Sequence, residues 1–142
     1  MQYYFVTEER LYFIMPFIGG GEISMMLKAL GKFNERMIKF YATQLVLGIK
    51  HLHENDIMHR DLKLSNLMIN TDGFLKIVDF GLAQVLRHGQ FATSIVGTPS
   101  YMAPEILKQE QYDKTADWWS VGIILYQMLT GTHPFFDRNV HR

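Results

Sequence analysis

At 142 residues the chain has the length of one ordinary domain and can bury a core of normal size. Lys plus Arg and Asp plus Glu both number 14, so no net charge argues for nucleic acid or an anionic membrane surface as partner. The absence of cysteine excludes a disulfide framework and a thiol nucleophile. The first ten residues, MQYYFVTEER, have no basic region followed by an apolar core, so no signal peptide is expected. The longest apolar stretches, residues 11–18 and 121–129, are too short or too interrupted to span a bilayer. A soluble intracellular domain, placed in the cytoplasm, is the expectation.

Residues 3–6 and 11–15 are rich in Tyr, Phe, Ile and Val and read as two strands around a polar turn. Pro16 and the cluster Gly19-Gly20-Gly21 end that run. The glycine spacing is not G-x-G-x-x-G and no long helix opens on it, so a flexible connector is expected rather than a phosphate loop. Residues 23–30 read as a short helix closed by Gly31. Asn34 can cap a long helix to about His53, because Met37, Ile38, Tyr41, Leu45, Ile49 and Leu52 recur at helical spacing. His51 and His53 fall in its last turn, where the helix dipole favours cations, and Asn55 is expected as a left-handed stop.

Residues 66–69 and 74–78 read as short strands joined through Asn70-Thr71-Asp72-Gly73, a strong hairpin signal. Such a hairpin returns Asn66 and Asp79 to one end. Residues 82–100 show no sustained period and read as a long loop, a feature that in compact domains usually carries function. Residues 102–108 read as a short helix. Residues 113–129 read as a helix apolar on every side, fit for the middle of a larger domain, before Gly131, Pro134 and a polar tail.

The stretch 57–81, IMHRDLKLSNLMINTDGFLKIVDFG, carries the densest chemistry. Phosphoryl transfer needs a group to orient the attacking hydroxyl, a cation for the moving phosphate and oxygen ligands for magnesium. Asp61, Lys63, and the pair Asn66 and Asp79 can supply those three. Taken singly, each element is weak. Their order, HRDLKLSN at 59–66, DFG at 79–81 and APE at 103–105, is the protein-kinase signature series.

On these motifs the chain resembles a eukaryotic-type protein kinase over essentially its whole length. The resemblance implies an α+β, bilobal kinase-like fold, represented by the last small-lobe strands, the hinge, and the helical large lobe up to its long central helix. It implies a partial domain over residues 1–142, with 1–15 the end of the small-lobe sheet, 16–22 the hinge and 23–142 a C-terminally truncated large lobe. Lys63 within HRDLKLSN and Thr98 within GTPSYMAPE resemble the serine/threonine class. The paired Trp in ADWWSVGIILYQMLTGTHPFF resembles most the AGC group that includes cyclic-AMP-dependent kinase, although HRDLKLSN departs from that group's usual YRDLKPEN.

The same resemblance implies residue roles. Asp61 would orient the acceptor hydroxyl or take its proton, and Lys63 would steady the transferring phosphate. Asn66 and Asp79 would hold Mg2+ ions bridging the phosphates of ATP. Met15 would be the gatekeeper, with Pro16, Phe17 and Ile18 the hinge that meets adenine, Glu22 on the ribose and Met68 under the ring. Arg60 would pair with a phosphate on Ser94, beside Thr93, helped by Arg87 or His88 and placed there by an upstream activating kinase. His59 and Phe80 would stack in the regulatory core beside Gly81, and Asp117 would brace the catalytic-loop backbone. Ile95, Pro99 and Met102 would line a pocket for the residue after the phosphoacceptor. Ser65 and Gln127, neutral where basophilic members are acidic, speak against arginine-directed specificity.

The expected partners are ATP and a protein bearing a Ser or Thr acceptor. No G-x-G-x-x-G and no V-A-I-K-like strand is present in the sequence, nor the helix that carries that lysine's glutamate partner. Glu105 lacks the later arginine that the resemblance pairs with it, which would leave a buried carboxylate uncompensated. The 142-residue chain by itself is therefore expected to be inactive, as a fragment of an active kinase. The alternative is a non-catalytic kinase-like binding or scaffold module.

Overall fold

The computed structural model describes residues 3–135. The polar tail expected after Pro134 falls largely on residues 136–142, outside the described residues. Strands β1 (Tyr3–Val6) and β2 (Leu11–Ile14) pair antiparallel, with Tyr3 opposite Ile14 and Val6 opposite Leu11. Thr7 closes the turn by accepting the Arg10 N–H. Every residue of both strands is exposed, and Phe5 stacks on Tyr12 at a centroid distance of 4.6 Å. Met15 lies just past β2.

Helix α1 (Ile23–Leu30) ends at Gly31 as its apolar spacing predicts. Helix α2 (Glu35–Glu54) begins at Asn34, whose side-chain oxygen accepts the Met37 N–H at 2.9 Å. That satisfies one of the orphan donors at the helix start, a cap worth about 1 kcal/mol. The stop differs from expectation. Asn55 has φ −98°, and the left-handed residue is Asp56 at φ 59°. Asn55 acts instead through its side-chain amide, which donates to the His51 carbonyl.

Strand β3 (Ile57–Met58) precedes a single 3₁₀ turn at Leu64–Asn66, and then β4 (Leu67–Ile69) and β5 (Leu75–Ile77) form the expected hairpin. Asn66 therefore belongs to the turn before the strand, not to the strand. The Asn70 N–H donates to Phe74 and the Gly73 N–H to Asn70, which closes the loop. The loop expected over 82–100 hides two pieces of ladder. Strand β6 (Gln84–Val85) pairs with β3, and Ala92 and Tyr112 exchange both backbone hydrogen bonds at 2.7 and 3.0 Å. Pro99–Tyr101 forms a second 3₁₀ turn before α3 (Pro104–Leu107), shorter than the sequence suggests because Pro104 sets its first position. Helix α4 (Ala116–Thr130) closes the described fold at left-handed Gly131.

One core joins the helices to the hairpin. Ile23 and Leu27 of α1, Tyr41, Leu45 and Ile49 of α2, Leu67 and Ile69 of β4, and Val121, Ile124 and Met128 of α4 are buried together. Each such side chain contributes about 1.5–3 kcal/mol on full burial. A second cluster, Met58, Leu86, Ala92, Met102, Ala103, Ile106, Tyr112 and Ala116, lies under the segment after β6. Helix α4 is apolar all round but buried on one side only. Trp118, Trp119, Tyr126 and Leu129 are partly or largely exposed. No helix among the described residues is long and apolar enough to cross a membrane.

The glycine cluster is not a free connector. The Gly20 N–H donates to the Ile69 carbonyl at 2.9 Å and the Ile69 N–H to Gly21 at 2.8 Å, while Glu22 bridges Met68. A β-carbon on Gly20 would collide with the Ile69 carbonyl, so glycine is what lets the segment lie on β4.

Candidate functional site

Four elements converge around Asp61. The segment after β3 supplies His59, Arg60 and Asp61; the 3₁₀ turn supplies Asn66; the end of the β4–β5 hairpin supplies Asp79; and the chain before the second 3₁₀ turn supplies Thr98. The hairpin works as expected, because the Val78 N–H donates to the Asn66 carbonyl at 3.0 Å and so sets Asp79 next to that turn.

The Asp61 carboxylate is buried and fully engaged. Lys63 Nζ donates to Oδ2 at 2.7 Å, and Thr98 Oγ1 donates to Oδ1 at 2.6 Å. Lys63 Nζ also donates to Thr98 Oγ1 at 3.0 Å, which closes a triangle of three side chains. Asn66 Nδ2 donates to the Asp61 carbonyl at 2.8 Å and to Oδ2 at 3.3 Å. Burial pushes the Asp61 carboxyl up, but hydrogen bonds from Lys63, Thr98 and Asn66, with the Lys63 charge, together hold it below the ordinary Asp range.

A carboxyl held low in the folded chain stabilises fully above its unfolded value, and that contribution is lost as pH falls through the lowered folded value. Urea midpoints of the wild-type chain should fall on acidification below about pH 5. The Asp61→Asn chain should lose part of that slope. Asp113, held low by the hydroxyl and N–H of Thr115, shares the direction and leaves a slope in both proteins. Parallel acid limbs would count against a strongly held Asp61.

The backbone around Asp61 is strained and braced. Arg60 has φ 68° and Asp79 has φ 61°, left-handed values that non-glycine residues rarely adopt. Asp117, buried at the start of α4, accepts the His59 N–H at 2.9 Å and the Arg60 N–H at 3.0 Å. Gly97 at φ 112° lies so close that a β-carbon there would strike the Arg60 carbonyl. His59 is fully buried, with one ring nitrogen 3.1 Å from the Val78 carbonyl and its ring edge-on to Phe80 at 5.0 Å.

Asp79 is exposed, and one of its oxygens accepts the Gly81 N–H at 3.3 Å. With Asn66 donating its amide toward Asp61, the Asn66 oxygen and the Asp79 carboxylate are oxygen ligands that this end of the hairpin can offer a cation. Among the described residues there is no cluster of three or more His, Asp or Glu able to hold a metal by itself. A carboxylate and an amide oxygen fit Mg2+, which keeps several waters and takes its remaining ligands from substrate phosphates.

Other sequence-predicted residues fall less tidily. Met15, Pro16 and Phe17 are exposed and Ile18 is half-buried, all leading into the glycine segment on β4. The Glu22 carboxylate accepts the Ser24 hydroxyl at 2.5 Å. Met68 is half-buried directly opposite Glu22. Ile95 and Pro99 are exposed, but Met102 is buried with Ile106 and Tyr112, so the three do not share one open pocket. Glu105 is half-buried in the first turn of α3 rather than sealed in the core, which relieves the expected desolvation cost. Arg60 Nη1 donates to Ser94 Oγ at 3.0 Å, and Thr93 beside it is exposed. Arg87 and His88 make no hydrogen bond to Ser94 among the described residues.

Sequence reasoning missed His53. Its Nε2 lies 2.9 Å from Asp117 Oδ2, while Lys114 Nζ donates to the His53 carbonyl at 2.6 Å and to Asp56 at 3.0 Å. It read His53 only as a helix-end cation. Nothing local announces a contact to a residue 64 positions later.

A family model described as protein kinase domain matches residues 1–142. Serine/threonine-protein kinase AtPK1/AtPK6 of Arabidopsis thaliana is 47% identical over 135 residues, covering 95% of this chain and 29% of its own. The cAMP-dependent protein kinase catalytic subunit of Schizosaccharomyces pombe is 43% identical over 135 residues, 95% of this chain and 26% of its own. The RAC-beta serine/threonine-protein kinase of Homo sapiens is 38% identical over 143 residues, 100% of this chain and 30% of its own. The chain thus spans under a third of the length of these curated relatives.

Proposed function

This chain belongs to the protein kinase domain family, and from that membership we propose that it carries the catalytic loop and magnesium hairpin of an ATP-dependent serine/threonine kinase. One observation carries the reading. Asp61, Lys63, Asn66 and Thr98, spread over 37 positions of sequence, form a single hydrogen-bonded group on one carboxylate. A structural ion pair with Lys63 has no need of a second and third donor on a carboxylate that follows a strained residue.

In this reading Asp61 orients the acceptor hydroxyl and receives its proton, for which its lowered carboxyl range keeps it ionised at neutral pH. Lys63, already 2.7 Å from Asp61, stands where it can neutralise a phosphoryl oxygen arriving beside that hydroxyl. Thr98 ties the segment before α3 to the same carboxylate and sets the floor on which an acceptor peptide lies. Asn66 and Asp79 are the Mg2+ ligands. Bound Mg-ATP supplies the electrophilic phosphoryl group and the charge that neutralises its oxygens. Met15, Pro16, Phe17 and Ile18 lead to the adenine, with Glu22 toward the ribose and Met68 beneath the ring. The Gly20–Ile69 ladder supports these placements, because it fixes the hinge segment against the strand that follows Asn66.

The stack of His59 on Phe80, the turn at Gly81 and the Asp117 brace keep Asp61 and Asp79 in register. Glu105 places a negative charge in the first turn of α3, where the helix dipole favours it. Ile95 and Pro99 are open to an acceptor peptide, while Met102 supports them from the core. We divide the chain into small-lobe strands to residue 15, a hinge over 16–22 and a large lobe thereafter, and place it in the cytoplasm. Ser94 is the proposed phosphoacceptor for an upstream kinase, with Thr93 its neighbour. In a chimera where this chain replaces the aligned segment of the S. pombe relative, Ser94→Ala and phosphatase treatment should each lower transfer by a similar factor. Equal activity in all samples would remove Ser94 from the account.

The test of the proposal is phosphoryl transfer from labelled ATP to a Ser/Thr peptide. The 142-residue chain, without a Gly-rich loop or ATP lysine in its sequence, should give none. A chimera in which the chain replaces the aligned segment of the S. pombe relative should give transfer. A folded chimera that binds Mg-ATP and transfers nothing would favour the scaffold reading.

A further inference from the structure

Arg60 is a cation that, among the described residues, hydrogen-bonds only to neutral oxygens. Its Nε donates to the Leu82 carbonyl at 2.6 Å, and its Nη1 donates both to Gln84 Oε1 at 2.6 Å and to Ser94 Oγ at 3.0 Å. The Gln84 contact is as short as a charge-assisted hydrogen bond gets, yet it brings no opposing charge. Its geometry is built in rather than incidental. Gln84 sits on β6 directly opposite Met58 of β3, and β3 runs straight into His59 and Arg60. Donor and acceptor therefore hang from the same two-residue ladder.

Ser94 is fixed from its other side. Tyr112 is buried, exchanges two backbone hydrogen bonds with Ala92, and donates its hydroxyl to the Ser94 carbonyl at 2.6 Å. The chain at residues 92–94 is thus held on the main chain by Tyr112 and on the side chain by Arg60. All of this is in place with a plain serine hydroxyl.

We propose that Gln84 is a positioning residue, a neutral clasp that aims Arg60 at Ser94 and, with Tyr112, orders residues 92–96 before any phosphate is added. The proposal rests on the reading of Ser94 as phosphoacceptor only for its consequence. A phosphate then adds to a preformed site instead of ordering a loose one, so the gain on modification is smaller than a disorder-to-order switch gives.

Amide hydrogen exchange on the unmodified 142-residue chain tests it. Gln84→Met keeps the volume and removes the acceptor, so exchange at the Ala92 and Tyr112 amides, which pair with each other, should rise on the order of ten-fold, the effect of one charged-group hydrogen bond. Exchange in α2 and α4 should stay unchanged, which reports that the fold survives. Gln84→Glu supplies a charged acceptor and should slow exchange at the Ala92 and Tyr112 amides below wild type. Tyr112→Phe should raise it without altering the Gln84 effect. Unchanged exchange in both Gln84 variants overturns the clasp. A second arm places phosphoserine at position 94 of the Gln84→Met chain. Recovery of slow exchange supports the phosphoacceptor reading. No recovery sinks that reading and leaves the clasp, already measured without phosphate, standing.

Discussion

Replacing Asp117 by Ala is expected to lower the unfolding free energy by about 3–5 kcal/mol, the cost typical of breaking one side of a buried polar network. The carboxylate is 2% exposed, accepts the His59 and Arg60 N–H groups, and lies 2.9 Å from His53 Nε2. Truncation leaves two backbone donors without an acceptor, each costing about 1–3 kcal/mol when buried. It also releases Arg60 from the left-handed conformation that those bonds hold. Asp117→Asn should cost less, because it retains one oxygen while turning an N–H toward other donors. Urea denaturation of the 142-residue chain reads both variants, and exchange at the His59 and Arg60 amides should accelerate first. A loss under about 1 kcal/mol for the Ala variant would mean that the loop holds its shape without the brace.

The second large effect falls on rate. Asp61→Asn preserves shape and volume, and the new amide can still accept from Thr98 through its oxygen. It cannot carry the negative charge that Lys63 and Asn66 now surround, nor receive a proton at neutral pH. General-base contributions are typically ~10²–10⁴-fold, and a loss in that range is expected for phosphoryl transfer in the chimera. The affinity for Mg-ATP should change little, since Asn66 and Asp79, not Asp61, are the proposed metal ligands. A drop in nucleotide affinity with unchanged single-turnover rate would assign Asp61 to binding instead.

How far the sequence could be read depended on how local each signal was. The cap at Asn34, the stop at Gly31 and the turn through Asp72-Gly73 act within a few residues, and those elements stand where their chemistry puts them. The stop at Asn55 slipped by one because Asn and Asp tolerate left-handed backbone alike, and the chain used Asp56. The β3–β6 ladder left no trace, since two residues carry no period and their partners lie beyond the whole hairpin. Gly20 looked like slack because nothing in a glycine run says which strand it will touch.

The site divides the same way. Asp61, Lys63, Asn66 and Asp79 were legible as a motif, and the brace from Asp117 came with the family resemblance. Thr98 stood in the sequence as a class marker, whereas in the fold it donates directly to Asp61. His53, Gln84 and Tyr112 act through contacts far apart in sequence, and no local pattern marks them.

In the proposed function the Asp61 carboxylate serves the transfer step itself. Single-turnover transfer from labelled ATP to a Ser/Thr peptide, in chimeras with Asp61 and with Asp61→Asn at saturating Mg-ATP, tests it most directly. The account predicts rapid transfer in the first and a rate lower by ~10²–10⁴-fold in the second, with nucleotide affinity matched. Equal rates in two folded, nucleotide-bound chimeras would contradict it.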